Sequence, residues 1–402
     1  MADFYQTGVV ATFHKLGGGN LEKIESELTW YSRERPLALV LPSLYSELEG
    51  NALKHIVNEL KNVKYIKEIA VTLGPASKKE FNLAKKFFSV LPQKTIIIWN
   101  NGPRLSDVYR AIQDAELPIG EPGKGRSAWV AYGYILSRQE FHAIALHDCD
   151  ILTYNRELLA RLCYPVINAN LDYEFCKGFY SRVTDRMHGR VTRLFVTPLI
   201  RALQKIIGYH PLLVFFDSFR YPLAGEFSMD INLARINRIP GDWGLEVGVL
   251  AEVYRNASTR RVCQVDIAES YEHKHQELFP DDASKGLHKM CIDIAKSVFR
   301  TLASEGIVFS EGFFKTLIAT YVRTAQDLLK RYEDDAAING LYFDRHDESL
   351  SVETFTNGIK EAAEIIIENP IGVPLIPSWD RVTSAIPDIL SIIQAAVDED
   401  NA

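Results

Sequence analysis

Two aspartates, Asp148 and Asp150, close an apolar run with a single residue between them. Residues i and i+2 of a strand point to the same face, so both carboxylates can reach one point just beyond the strand. In α/β sheets ligands bind at that position, and carboxylate oxygens there suit a divalent metal and a phosphate-bearing ligand. Such a pair also occurs at solvated strand ends, so its interpretation depends on the segments that accompany it.

Two basic segments could bind anionic groups. In Gly123-Lys124-Gly125 the glycines would let the backbone approach a ligand, and the lysine offers a point charge to a phosphate. In Gly189-Arg190-Val191-Thr192 the arginine offers a planar fork of donors that matches carboxylate or phosphate oxygens, and the threonine adds a hydroxyl. For both segments the alternative is a surface turn with solvated charges.

Further polar residues lie in apolar surroundings or after a strand-like run. Glu226 and Glu246 each lie close to a glycine in an apolar stretch, where an unpaired carboxylate would cost several kcal/mol, so each should meet a partner. Glu246 could instead stabilise the start of a helix. His273 and His275 follow a strand-like run that ends at Ile267, and at most one of them need face a metal beside the carboxylates.

The composition restricts the class of protein. The chain has 402 residues and a formal net charge of −7, which argues against a protein that binds nucleic acid through its phosphates. Its five cysteines are odd in number and lack a C-x-x-C spacing, so we expect neither a disulfide framework nor a zinc site. We expect no signal peptide and no membrane span, because no apolar run approaches about 20 residues. A cytoplasmic protein is therefore predicted. The sequence also lacks the motifs of P-loop proteins, serine hydrolases and zinc proteases, which argues against these classes.

Strands alternate with helices in the first part of the chain after an N-terminal extension over residues 1–35. This alternation predicts an α/β fold with a doubly wound sheet whose ligand lies at the carboxyl ends of the strands, where Pro42, Leu44 and Glu47 would also be placed. The predicted strands are 37–41, 66–72, 95–99 and 141–146, and the predicted helices are 51–60, 77–88, 106–115 and 127–137. The middle of the chain, 151–280, has strand-like runs at 173–180, 212–216 and 263–267. Residues 281–402 are predicted to be helical, with helices at 285–305, 311–332, 351–368 and 386–398 that form a packing or dimerising layer.

Taken in order, these segments resemble the nucleotide-sugar glycosyltransferases of the GT-A fold, and more closely the glucosyl-3-phosphoglycerate synthases, which are retaining enzymes. The resemblance covers roughly residues 36–280. It rests on Leu41-Pro42-Ser43-Leu44, Gly123-Lys124-Gly125, Asp148-Cys149-Asp150, Gly189-Arg190-Val191-Thr192, Pro222-Leu223-Ala224-Gly225-Glu226-Phe227, Gly244-Leu245-Glu246-Val247-Gly248 and the loop around His273. It implies a GT-A-type doubly wound mixed sheet flanked by helices, with a nucleotide-sugar-binding half at 36–150, an acceptor-binding half at 151–280 and a helical C-terminal region.

The resemblance also implies roles for individual residues. The residues implied to bind the nucleotide sugar are Pro42, Leu44, Glu47, Lys124, Asp148, Cys149 and Glu246. Those implied to act at the reacting centre are Lys124, Leu223 and Glu246. A divalent metal, Mg²⁺ or Mn²⁺, would be bound by Asp150 and His273. The residues implied to bind the acceptor are Gly189, Arg190, Val191, Thr192 and His275.

The implied reaction is transfer of glucose from UDP- or GDP-glucose to 3-phospho-D-glycerate by a homodimer, with no nucleic-acid or membrane partner. The chain departs from the family pattern at Tyr271, where the family has an arginine, and at His275, where it has an asparagine. These departures leave a synthase that uses free glycerate, with glucose or mannose, as an alternative. A non-catalytic nucleotide-sugar-binding protein and a nucleotidyltransferase are the further alternatives.

Overall fold

The computed structural model describes residues 6, 8–17, 20–241, 244–273, 278–280, 282–372 and 375–402. Eight strands in this part of the chain form one mixed sheet. They are β1 Ala11–Phe13, β2 Leu37–Ser43, β3 Ile66–Leu73, β4 Lys94–Trp99, β5 Ala143–Leu146, β6 Phe175–Tyr180, β7 Phe227–Asp230 and β8 Val262–Ala268.

Helices cover both faces of the sheet. They are α1 Leu21–Tyr31, α2 Asn51–Leu60, α3 Lys78–Phe88, α4 Pro103–Asp114, α5 Lys124–Ser137, α6 Arg156–Ile167, α7 Thr197–Ile207, α8 Pro211–Ser218, α9 Ile231–Ile236, α10 Leu245–Asn256, α11 Gly286–Ser304, α12 Glu311–Ile338, α13 Arg345–Glu368, α14 Trp379–Ala385 and α15 Ile389–Asn401. Side chains of α1, α2, α3 and α6 form the core on one face, and those of α4, α5 and α7 to α15 form the core on the other. No helix among the described residues is long and apolar enough to span a membrane.

The strand order is β1-β8-β6-β7-β5-β2-β3-β4. All neighbouring strands are parallel except that β7 is antiparallel to both β5 and β6. The parallel strands therefore end at one edge of the sheet, and β7 begins at that same edge. Because the chain runs from β2 to β3 and β4 on one side while β5 lies on the other, the sheet has its topological switch point between β2 and β5. The expected α/β fold with a mixed, doubly wound sheet is confirmed.

Central strand β2 shows why the hydrophobic runs fold this way. Leu37, Leu39 and Leu41 are buried in one core, while Ala38 and Val40 are buried in the other. A strand that is covered on both faces needs apolar side chains at consecutive positions, and these occur in parallel sheets. The apolar runs of β2, β3 and β5 thus fix the centre of the sheet, from which their polar ends project.

One predicted element is wrong and two strands were not predicted. Residues 212–216 form part of helix α8 rather than a strand. Pro211 starts this helix, and its side chains are buried on most sides, so its sequence is a continuous apolar run without a helical period. The strands that were missed are the short β1, which lies within the expected N-terminal extension and pairs with β8, and β7.

Candidate active site

A cleft of about 1160 Å³ opens at the edge of the sheet where the parallel strands end. Pro42, at the end of β2, and Asp148, beyond β5, face each other across the switch point, and both line the cleft. The antiparallel strand β7 contributes Gly225 from the opposite chain direction, because its first residues lie at the same edge. Several of the segments that sequence analysis selected therefore meet in the cleft.

Lys124 is the centre of a charged group at the bottom of this cleft. Its Nζ lies 2.6 Å from Asp148 Oδ1 and 3.1 Å from Glu246 Oε1. Burial alone would lower the pKa of Lys124, but the two carboxylates outweigh it and raise the pKa well above its ordinary value. Desolvation would raise the pKa of Asp148, and the charge and hydrogen bond of Lys124 reverse that effect, so that its pKa is lowered. Lys124 and Asp148 are therefore both charged at neutral pH.

Gly225 passes directly over the pair of Lys124 and Asp148. A Cβ atom at this glycine would lie 2.6 Å from Asp148 Oδ2 and 2.8 Å from Lys124 Nζ. Real Cβ atoms do not come so close to other heavy atoms, so a side chain at this position would displace Lys124 or Asp148 from their ion pair. This contact explains why a glycine precedes Glu226 in the apolar stretch.

Asp150 and His273 lie together, as the sequence prediction required. The distance from His273 Nδ1 to Asp150 Oδ2 is 3.6 Å, and both side chains line the cleft. The backbone brings them together: Leu152 N donates to Glu272 O at 2.8 Å, and Glu272 N donates to Thr153 Oγ1 at 3.1 Å. The loop after β5 and the loop after β8 are thus joined at the point where the two side chains face each other.

This donor set fits a magnesium or manganese ion. A carboxylate oxygen suits both ions, which also keep several positions for water and substrate phosphate. An imidazole nitrogen is a softer ligand, which favours manganese over magnesium. The described residues contain no group of three or more His, Cys, Asp or Glu side chains arranged around one point. Asp150 and His273 alone would therefore hold the ion at an open site, while Asp148 is engaged by Lys124.

Glu226 is fully buried behind the charged group and finds the partners that its burial requires. It accepts hydrogen bonds from the hydroxyl of Tyr271 at 2.5 Å and from that of Tyr180 at 2.9 Å. The two tyrosine rings stack with their centroids 3.7 Å apart. Burial raises the pKa of Glu226, and the nearby charge of Asp148 raises it further. Tyr271, at the position where an arginine was expected from the resemblance, therefore serves as a hydrogen-bond donor to the buried Glu226.

The residues predicted to bind the nucleotide line the other end of the cleft. Pro42, Leu44 and Glu47 belong to this wall, together with the buried Cys149. Glu47 accepts hydrogen bonds from Leu44 N at 3.0 Å and from Ser43 Oγ at 3.1 Å. Burial raises the pKa of Glu47 to about 7, and the charges of Asp150 and Asp148 contribute to that rise.

Leu223 lies between the two ends of the cleft. It is 9% exposed and lines the cleft two residues before Gly225. Its carbonyl and side chain belong to the loop that leads into β7. The structure therefore brings Leu223 into the same cavity as Lys124 and Glu246.

The predicted acceptor-binding segment lies at the far end of the cleft. Gly189, Arg190 and Val191 line the cavity, and Gly189 has a φ of +75°, which favours glycine. Thr192 is not among the lining residues, and its buried hydroxyl has no hydrogen-bond partner within the described part of the chain. Thr192 is the second residue of a π-helical turn, Val191–Val196. Such turns are frequent at functional sites. His275 lies outside the described residues.

Sequence analysis missed the contribution of the C-terminal helical region to this end of the cleft. The lining residues that it supplies are Leu287, Lys289, Met290, Asp293, Tyr342, Phe343, Asp344 and Glu348. Arg182, from the loop after β6, also lines the cleft and donates to Tyr221 Oη at 3.2 Å. No short motif marks these residues, because they reach the cleft only through long-range packing of helices.

Solved structures with this architecture are glycosyltransferases. Glucosyl-3-phosphoglycerate synthase of Mycobacterium tuberculosis, in a complex with Mn²⁺, UDP-glucose and phosphoglyceric acid, superposes with a TM-score of 0.51 at 18% identity, over 75% of this chain and 89% of that one. Mannosyl-3-phosphoglycerate synthase of Rubrobacter xylanophilus gives a TM-score of 0.52 at 22% identity, over 72% of this chain and 82% of that one. At these identities the likeness concerns the fold. The chain therefore shares the mixed α/β fold of these two sugar-phosphoglycerate synthases.

Two relatives are similar over the whole length. The chain is 49% identical over 402 residues to the glucosyl-3-phosphoglycerate synthase of Persephonella marina, covering 100% of both proteins. It is 38% identical over 392 residues to the glucosyl-3-phosphoglycerate synthase of Methanococcoides burtonii, covering 96% of this chain and 95% of that protein. No protein-family model matches the chain. The chain belongs to the glucosyl-3-phosphoglycerate synthase family.

Proposed function

We propose that this protein transfers glucose from a nucleoside diphosphate to the 2-hydroxyl of 3-phospho-D-glycerate, with retention at the sugar. The observation that carries the proposal is the full-length similarity to two proteins named for this product. The cleft supports it, because it joins a lysine, an open metal site and an arginine-bearing loop in one cavity.

At the donor end, the chain's own residues bind and orient the nucleotide sugar. Pro42, Leu44 and Glu47 form the wall for the nucleotide, and Lys124 lies where it can contact the diphosphate. Asp150 and His273 would hold Mg²⁺ or Mn²⁺, and such an ion would supply positive charge to the diphosphate leaving group. Glu246, fixed by Lys124 at 3.1 Å, can accept hydrogen bonds from sugar hydroxyls.

At the acceptor end, Arg190 is the residue best suited to an anion. Its side chain is 30% exposed, and it lines the cleft beside Gly189 and Val191. A guanidinium binds phosphate or carboxylate with two parallel hydrogen bonds, which orients the acceptor as well as attracting it. Fixing the acceptor next to the bound donor converts a bimolecular encounter into an oriented pair.

The test is an activity matrix of donors and acceptors with the purified full chain. UDP-glucose, GDP-glucose and the two corresponding mannose donors are each combined with 3-phospho-D-glycerate or free D-glycerate, with Mg²⁺ or Mn²⁺ present. We expect glucosyl-3-phosphoglycerate from a glucose donor and the phosphorylated acceptor. Turnover with free glycerate but none with 3-phosphoglycerate would replace this proposal by the glycerate synthase. Binding of the donor without any turnover would favour a non-catalytic protein. Formation of UDP-glucose with release of pyrophosphate, in a separate assay with UTP and glucose 1-phosphate, would identify a nucleotidyltransferase.

We also propose that the protein acts as a cytoplasmic homodimer. Its five cysteines are all free and buried, which suits a reducing compartment. Exposed apolar side chains on the C-terminal helical region, such as Val308 and Ile338, would be covered in a dimer. Light scattering coupled to size-exclusion chromatography measures the molecular mass and decides between a monomer and a dimer.

A further inference from the structure

We propose that Glu348, in the C-terminal helical region, is a positioning residue that holds Arg190 in the orientation needed to bind the acceptor. The inference rests on the proposed function, because it concerns the acceptor of that reaction. It assigns to helix α13 a part in substrate binding, although this helix lies outside the stretch that carries the sequence motifs.

The carboxylate of Glu348 accepts hydrogen bonds from two arginines, and we call these three residues the Glu348 clamp. Arg190 Nε donates to Glu348 Oε1 at 2.9 Å. Arg193 donates to the same carboxylate through Nη1 at 3.0 Å and through Nη2 at 3.3 Å. Because Arg190 makes this contact through its Nε, the contact does not use its Nη1 and Nη2 donors, and the residue lines the cleft beside Gly189 and Val191.

Arg193 connects the same clamp to the loop that precedes it. Its Nε donates to His188 O at 2.8 Å, and its Nη2 contacts Met187 O at 3.3 Å. His188 and Met187 line the cleft as well. Glu348 therefore fixes both the side chain of Arg190 and the loop on which Arg190 is carried.

The charge balance explains why a carboxylate is needed here. Glu348 is 4% exposed, and it lies between two guanidinium groups whose like charges would otherwise repel each other. Of the two arginines, Arg190 lines the cleft, and its partly exposed guanidinium suits an acceptor with a phosphate and a carboxylate. The more exposed Asp347 lies 3.8 Å from Arg190 Nη2 and adds a weaker, solvent-screened attraction.

The segment that leads into helix α13 is attached to the loop that precedes Arg190. These contacts fix the position of Glu348 relative to that loop. Tyr342 N donates to Asp185 O at 2.8 Å, and the guanidinium of Arg186 lies 4.8 Å from the centre of the Tyr342 ring. Two residues later Asp344 caps α13 by accepting from Asp347 N at 3.0 Å. Glu348 then lies in the first turn of the helix, directly above the two arginines.

The substitution Glu348→Gln keeps the shape of the side chain and removes its charge. Its amide nitrogen would face arginine donors, so Arg190 loses a fixed partner and the two guanidinium groups repel each other. We expect the KM for 3-phospho-D-glycerate to rise about tenfold or more, while the KM for the nucleotide sugar changes less than about twofold. Glu348→Asp keeps the charge on a shorter side chain and should restore part of the acceptor affinity.

Glu252 offers a matched control within the same chain. It is also 4% exposed, and it also accepts from two arginines, Arg238 at 3.0 Å and Arg255 at 3.2 Å, but it does not line the cleft. Glu252→Gln should lower the melting temperature as Glu348→Gln does, and it should leave both KM values unchanged. A purely structural role of Glu348 would instead make the two variants behave alike.

The outcomes separate this inference from the proposed function. If the wild-type protein turns over 3-phospho-D-glycerate and Glu348→Gln has an unchanged acceptor KM, the inference is wrong and the proposed function stands. If the wild type neither turns over nor binds 3-phospho-D-glycerate in a calorimetric titration, both are overturned. Should Glu348→Gln fail to fold, Glu348→Asp decides the matter, because an acceptor KM equal to that of the wild type would contradict the inference.

Discussion

At the scale of single residues, the cleft is a set of carboxylates that each have a partner of their own. Asp148 is paired with Lys124, Asp150 lies beside His273, and Glu226 is bonded by two tyrosine hydroxyls. A buried carboxylate without a partner costs several kcal/mol, so this pairing lets the sheet edge carry several acidic groups within one cavity. Asp148 and Asp150 consequently have different neighbours, although they are only two residues apart.

The role of Asp150 can be tested by removing its carboxylate. Asp150→Ala leaves His273 without its neighbouring carboxylate, so we expect the affinity for Mn²⁺ in the presence of UDP to fall and turnover to drop at least about 100-fold. Calorimetric titration measures the first effect and an activity assay the second. Asp217→Ala, which removes a carboxylate from the ion pair with Arg201 outside the cleft, is the control. Normal rates in Asp150→Ala would show that the metal site is misassigned.

A second prediction at this scale concerns His147, which is fully buried beneath the D-x-D segment. Burial lowers the pKa of His147 to about 4, while its ring is bonded to Asp148 O and to Tyr154 Oη. In the unfolded chain a histidine takes up its proton near pH 6.5, so the unfolded state binds more protons below that pH and stability falls. The contribution of neutral His147 to the free energy of unfolding is fully present above about pH 6.5. It is lost as the pH falls to about 4, and the loss amounts to about 3 kcal/mol.

Chemical denaturation at several pH values checks this expectation. The difference in unfolding free energy between the wild type and His147→Gln should decrease by about 3 kcal/mol between pH 7 and pH 4. Asn357→Ala, which changes an exposed residue without a titratable group, provides the control, and its difference should stay constant. A difference for His147→Gln that does not depend on pH would contradict a buried neutral imidazole.

At the scale of elements, the sequence predicted the strands that are buried on both faces and the helices that are buried on one face. Strands β2 to β5 and helices α2 to α5 were found within a few residues of their bounds, because continuous apolar runs and helical periods are local properties. Residues 212–216 were misassigned because a short apolar run does not distinguish a buried helix from a buried strand. The short β1 and β7 are strands only because they pair with distant partners, which no local pattern records.

Helix α15 also protects an exposed strand edge, which gives a prediction at this scale. β4 is the last strand of the sheet, and Asn401 of α15 pairs with its backbone: Ile97 N donates to Asn401 Oδ1 and Asn401 Nδ2 donates to Ile97 O, both at 2.9 Å. Asn401→Ala leaves two backbone groups unsatisfied, so we expect a loss of about 1–3 kcal/mol in unfolding free energy. Chemical denaturation measures this loss, and the catalytic rate should be unchanged.

The matched control is Asn357→Ala, which removes an exposed asparagine from the middle of α13. This change should be neutral or slightly stabilising, because alanine has the higher helix propensity. Equal stability of the two variants would mean that α15 does not protect the β4 edge through Asn401.

At the scale of the whole molecule, the C-terminal helical region is joined to the α/β part through a common core and a common cleft. Trp379 of α14 stacks on Trp129 of α5 with the ring centroids 4.2 Å apart, and Trp379 Nε1 donates to Trp129 O at 2.9 Å. Sequence motifs located Lys124, Asp148, Asp150 and His273, because Lys124 lies between two glycines and the other three residues follow strand ends. They could not locate Glu348, since its contact with Arg190 spans 158 positions of the chain.

This shared core predicts that the two regions unfold together. Trp379→Ala should lower the unfolding free energy by about 3–5 kcal/mol, because it leaves a cavity against Trp129 and Gly133, where the packing is closest. Hydrogen exchange followed by mass spectrometry should show amides of β2 and of α12 losing protection by the same amount in this variant, and thermal unfolding should remain a single transition. Separate transitions, with α11 to α13 melting before the sheet, would show that the helical region is an independent domain, in which case the acceptor end of the cleft could open without unfolding the donor end.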